Sequence, residues 1–113
     1  MKKLEFELQP LRVPSDWTIT INNLYEIELT PETAHWFSSS VLLGGARQST
    51  GYCFDSRVEP EGDPNGEFVI DFLKIDYDQK GKPVKNSEVF LGEFRTKSKI
   101  EFIKKIESFM IES

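Results

Sequence analysis

Leu4, Phe6 and Leu8 alternate with Glu5 and Glu7, the period-two pattern of a strand with one wet face, and Pro10 and Pro14 bracket a turn behind it. This predicts a first strand at a sheet edge. Trp17, Ile19 and Ile21 share the next parity, and Tyr25, Ile27 and Leu29 keep it beyond Asn22-Asn23. The pattern predicts one long strand, or two short ones with an irregularity at the asparagines, which also tolerate a tight turn. Tyr52, Phe54, Ser56 and Val58 share a face of a further strand. Glu59-Pro60-Glu61-Gly62-Asp63-Pro64-Asn65-Gly66 then supplies a long hairpin connection. From Phe68 to Tyr77 apolar residues fall on both parities, as in a central strand covered on both faces. Asp78-Gln79-Lys80-Gly81-Lys82-Pro83 turns the chain into a last strand from about Val84 to Phe94.

Two segments read as helical. Thr30-Pro31-Glu32 has the form of an N-cap, a proline at the first helical position and an acid at the positive helix end, and Gly44-Gly45 suits its termination. Gly44 to Gly51 then reads as a loop. Ser98 with Glu101 forms a capping box, and Ile100, Ile103, Ile106 and Met110 with Phe102 and Phe109 give an amphipathic stripe. Lys97, Lys99, Lys104 and Lys105 are expected on its solvated face. The resulting fold is α+β, a single domain over residues 1–113. It has an antiparallel sheet of about five strands, a short helix after the second strand, and a C-terminal helix packed on one face.

Charge adds what the pattern lacks. The 113 residues carry 14 Lys or Arg and 19 Asp or Glu, a net charge of -5, the wrong sign for a phosphate-backbone binder, so no nucleic-acid partner is expected. The excess has an address. Between residues 51 and 78 lie Asp55, Glu59, Glu61, Asp63, Glu67, Asp71, Asp76 and Asp78 against only Arg57 and Lys74, whereas residues 79 onward are net basic. Such a segment either solubilises the surface or steers a basic protein partner. One cysteine allows no internal disulfide, and no stretch approaches the roughly 18 apolar residues of a membrane span. Met1-Lys2-Lys3-Leu4-Glu5-Phe6-Glu7 turns polar too soon for a secretion signal, so a cytoplasmic protein with no membrane partner is expected.

Candidate chemistry is sparse. Counted from Glu61, the twelfth position of a calcium loop falls on Phe72 inside a strand, where an EF-hand needs a bidentate Glu, so that segment reads as a turn and not as a metal site. His35 is the sole histidine, which removes any multi-histidine metal centre, and it lacks an evident nucleophile and orienting partner. Cys53 lies between Tyr52 and Phe54 and reads as packing. Gly44 to Gly51, with Arg47, lacks the lysine and the following helix of a phosphate-binding loop, and reads as a connector carrying one contact residue. Neither catalytic residue nor cofactor is expected.

Leu11-Arg12-Val13-Pro14-Ser15-Asp16-Trp17, continued by Asn22-Asn23-Leu24-Tyr25-Glu26, resembles the opening of small bacterial immunity proteins from polymorphic toxin and contact-dependent growth inhibition systems. The resemblance covers about the first quarter of the chain. It implies a cytoplasmic, non-enzymatic protein that neutralises a cognate toxin, a nuclease with a basic cleft among the options, by tight binding. Charge then nominates Asp55, Glu59, Glu61, Asp63, Glu67, Asp76 and Asp78, with Tyr77 as an aromatic anchor, as the partner-binding residues. The alternative is a small adaptor or ligand-binding domain whose partner docks on the sheet or along a strand edge.

Overall fold

A computed structural model describes residues 6–113. Strands β1 (Thr18–Asn22), β2 (Leu43–Ala46), β3 (Tyr52–Glu59), β4 (Glu67–Lys74) and β5 (Val89–Thr96) form one sheet in the order β1-β2-β3-β4-β5, every neighbour antiparallel. Helix α1 (Lys99–Glu112) lies over β4 and β5 on one face. The α+β architecture, the five antiparallel strands and the packed C-terminal helix are those expected from the pattern.

The core forms where the alternation of β3 and β4 meets the helix. Phe54 pairs with Phe72, Ser56 with Ile70 and Val58 with Phe68, all facing α1. Phe68 stacks on Phe102 at 4.7 Å between ring centroids, and Phe109 lies 4.4 Å from Phe72. Ser56 is buried among them at little cost, because its hydroxyl donates to Leu43 O at 2.7 Å. Ser98 caps the helix as expected, its Oγ accepting from Glu101 N at 3.2 Å.

Several expectations are corrected. Leu8 makes only an isolated bridge to Tyr25, so no edge strand forms there among the described residues; Leu4 and Glu5 lie outside them. The fifth strand is instead β2, which contains Gly44 and Gly45 where a loop was expected. The Phe54 ring lies where a Cβ on Gly45 would sit, at 2.9 Å, so an aromatic from β3 fills the space the glycine leaves. The turn into β3 closes through Gly51 N to Arg47 O at 2.8 Å, with Gly51 at φ +83, a conformation glycine adopts without cost. β1 bulges at Thr20, which turns Ile21 away from the side of Trp17 and Ile19, and the chain leaves the sheet before Tyr25, Ile27 and Leu29. The helix expected from Thr30 is one 3-10 turn, Ala34–Phe37, preceded by Thr33 rather than Thr30. β5 begins at Val89 rather than near Val84 and runs through Arg95 to Thr96, and residues 75–88 form an excursion closed by the Tyr77–Pro83 bridge.

The helix stripe is also shifted. Lys99, Phe102, Ile106 and Met110 are buried and Ile100 is exposed. Lys99, expected in solvent, sends its amine inward to Gln9 Oε1 at 2.8 Å, Tyr25 O at 2.8 Å and Ile27 O at 2.7 Å. The reason is a deficit of donors: the irregular segment around Tyr25 and Ile27 has left the sheet ladder and needs an outside partner.

Candidate functional site

Alternation aims the charges of β3, β4 and β5 at the face opposite α1, where register stacks them in rows. Cys53, Leu73 and Phe90 form one row; Asp55, Asp71 and Glu93 the next; Arg57, Val69 and Arg95 the third; Glu59 and Glu67 the fourth. An acidic row, a basic row and a second acidic row thus succeed one another across three strands. Val69, in the middle, is 0% exposed although it points away from the helix, because charged neighbours cover it. The strand expected from Phe68 to Tyr77 is β4, which ends at Lys74; α1 covers one of its faces, and the other is covered only by the side chains of these rows.

Ion pairs link the rows, some along a strand and some across strands. Arg57 donates to Glu59 at 2.6 Å and to Asp71 at 2.7 Å. Arg95 donates to Glu93 at 2.6 Å and to Glu59 at 2.8 Å, with Glu67 at 3.9 Å. Hydrogen bonds from Arg57 and then Arg95 hold the Glu59 carboxyl below its ordinary pKa. Burial works against the Arg57 charge, but its bonds to Glu59 and Asp71 prevail and raise its pKa.

Asp55 is the exception. Its cross-strand neighbours are Asp71 on β4 and, on β2, Gly44, which has no side chain to offer. Arg57 directs its hydrogen bonds to Glu59 and Asp71 instead. Burial, then Asp71, raises the Asp55 pKa, Arg57 only partly opposing this and Glu88 adding to it. Like charges directly opposite in a sheet are unfavourable, and partly exposed ion pairs contribute only about 0–1 kcal/mol each. Five carboxylates against two guanidinium groups therefore give this face little net stability and a surplus of negative charge.

The two shifts have opposite signs in a titration. Glu59, with its folded pKa lowered, stabilises the fold above the ordinary carboxylate range, and that contribution disappears as pH falls through the lowered value. Asp55, with its folded pKa raised, destabilises the fold above that raised value, and the penalty vanishes as pH falls to the ordinary one. Urea midpoints between about pH 3 and pH 7 should show the cost of Glu59→Gln shrinking toward acid. Any gain from Asp55→Asn should shrink toward acid as well. A cost of Glu59→Gln that grows on acidification would contradict the assignment.

The remaining acids lie elsewhere. Glu61 and Asp63 sit in the β3–β4 turn, where Asp63 Oδ1 accepts from Asn65 N at 2.8 Å. Asp76, Tyr77 and Asp78 lie beyond the opposite end of β4, where Asp78 Oδ1 accepts from Lys80 N at 2.8 Å and Lys82 N at 3.0 Å. Asp63 and Asp78 thus shape turns. Tyr77 lines a hollow of about 400 Å³ with Asp16, Gln48 and Ser49. Of the sequence-nominated residues, Asp55, Glu59 and Glu67 come together; Asp71, Glu93, Arg57 and Arg95 complete the face, and strand parity is the signal that would have found them.

The other candidates separate. Cys53 is buried at the start of β3, its thiol pushed up to about 11 by burial, Glu88 and Asp55, so it stays protonated near neutrality. His35 is exposed on the 3-10 turn, whose Ala34 and Ser38 lie against Gly62 at the far end of the β3–β4 hairpin. The fold does not bring the two together. Arg47 is engaged internally, donating to Asp16 Oδ2 at 3.0 Å and Ser113 O at 2.7 Å. Among the described residues, no group of three or more His, Cys, Asp or Glu is arranged to hold a metal ion, and no helix is long and apolar enough to cross a membrane. No protein-family model, curated protein or solved structure matches the chain.

Proposed function

We propose that this chain is an immunity protein: a cytoplasmic, non-catalytic domain that neutralises a cognate toxin by holding a basic surface of that toxin on the outer face of its sheet. The observation that carries the reading is Asp55, a half-buried carboxylate set between Asp71 and a glycine, with its charge opposed rather than paired. A basic side chain from a partner would relieve that opposition, and the surrounding negative surplus would speed the encounter. The N-terminal resemblance supplies the class of partner, and a toxin with a basic substrate cleft, such as a nuclease, has the complementary charge.

The test is co-expression with the product of the adjacent gene. That product should arrest growth alone and be tolerated with the intact chain. Asp55→Arg should abolish the rescue, whereas Glu32→Gln, an exposed position away from the face, should preserve it. A harmless neighbour, or one that the chain does not bind, removes the toxin reading.

A further inference from the structure

β5 ends the sheet, and among the described residues no strand pairs with its free side. Soluble proteins blunt such an edge with charge, proline or a bulge. The second half of β5 follows this rule with the charges of Glu93 and Arg95, and the register slip that leaves Leu91 unpaired marks its boundary with the first half. The first half does not. Val89, Phe90 and Leu91 are 54%, 60% and 47% exposed, three apolar residues in succession beside an open ladder.

A groove runs along the same edge on the helix side. Two adjoining hollows of about 300 and 240 Å³ share Lys105 and Ser108, with Phe94, Glu101 and Lys104 in the first and Phe72, Leu91 and Phe109 in the second. The edge strand therefore separates two different environments. On the helix side Leu91, Phe72 and Phe109 lie beside Lys105 and Ser108; on the other side β5 presents Phe90, Glu93 and Arg95, the Arg95 guanidinium held among Glu93, Glu59 and Glu67.

From this juxtaposition we infer that β5 takes up an extended segment of the toxin as a sixth strand, a segment that alternates apolar and basic residues. Backbone hydrogen bonds to β5 would supply affinity, and the two environments would read alternate side chains. Apolar residues would enter the hollow beside Leu91 and Phe109, and a basic one would meet the acids gathered about Arg95, with Glu93 the nearest on β5. A second copy of the chain fits less well. Pairing β5 with itself would bring together two copies of a chain of net charge -5. The inference rests on the reading of a basic protein partner and adds where, and in what conformation, that partner docks.

The experiment uses the whole protein, isotope-labelled, and a synthetic peptide of β5's own length, 8 residues, alternating lysine and valine. An isomer with its lysines grouped in one half, and an analogue N-methylated at alternate peptide nitrogens, serve as controls. The alternating peptide should slow amide hydrogen exchange within Val89–Thr96 by about tenfold at saturation and shift the signals of Leu91 and Phe94. The N-methylated analogue should lose this protection, and Phe90→Lys should weaken binding at least about fivefold. Shifts confined to Asp55, Asp71 and Glu67, with β5 amides unprotected, would overturn strand addition and leave the acidic-face reading standing. Absence of binding by either lysine peptide would overturn it as well. A concentration-dependent dimer that protects β5 without peptide would overturn it in favour of self-pairing. Protection of β5 combined with failure of the co-expression rescue would support the docking mode and remove the toxin.

Discussion

Lys99→Met is expected to lower the free energy of unfolding by about 2–4 kcal/mol, read as a fall in the urea midpoint. The side chain is 6% exposed and its amine donates to three acceptors in the segment that precedes the sheet and the one that follows β1. Methionine fills the same volume but donates nothing, leaving the Ile27 carbonyl and the Gln9 amide oxygen without that partner, while the Tyr25 carbonyl keeps the Ile27 N–H. Unmet buried acceptors cost about 1–3 kcal/mol each, moderated where water can reach them. Burial lowers the amine's pKa, and the charges of Glu28 and Glu26 restore part of it. Lys104→Met, exposed on the same helix, should change stability by no more than about 0.5 kcal/mol. Equal effects at the two lysines would show that the inward hydrogen bonds do not hold the N-terminal segment in place.

The second large effect concerns association. Reversing charge on the face, with Asp55→Arg or Glu67→Lys, should slow binding of the proposed basic partner by about 10–100-fold, and the salt dependence of the rate should weaken with it. The same reversal at Glu61 or Asp76 should do less, because these lie in turns beyond opposite ends of the strands, outside the stacked rows. Stopped-flow association rates at two ionic strengths distinguish the cases. A uniform response at all four positions would mean that overall charge, and not the face, steers the encounter.

These expectations show how far the linear pattern reaches. The helix from Lys99 was legible because its cap and stripe are local, and β3 and β4 because strict alternation needs no knowledge of neighbours. β2 was illegible for the opposite reason: Gly44 and Gly45 have no strand signal of their own, and what makes them a strand is Phe54 lying over Gly45 from the next strand. Lys99 misled because periodicity describes a helix against a generic core, while here one position faces carbonyl groups. The candidate site divides similarly. Composition located the acidic segment, but only the alternation of side chains separates Asp55, Glu59 and Glu67 on one face from Asp63 and Asp78, whose carboxylates shape turns. That Asp55 lies between Asp71 and Gly44 follows from register across three strands, which no short window contains.

If the Asp55 charge serves a partner and not the fold, its removal separates two quantities that a structural residue would lose together. Asp55→Asn should be measured at neutral pH for its urea midpoint and for its dissociation constant with the proposed partner, once the co-expression test has identified it. The midpoint should equal or exceed that of the parent protein, since burial and Asp71 oppose the charge, while affinity falls at least about tenfold, some 1.4 kcal/mol. A lower midpoint with unchanged affinity would contradict it.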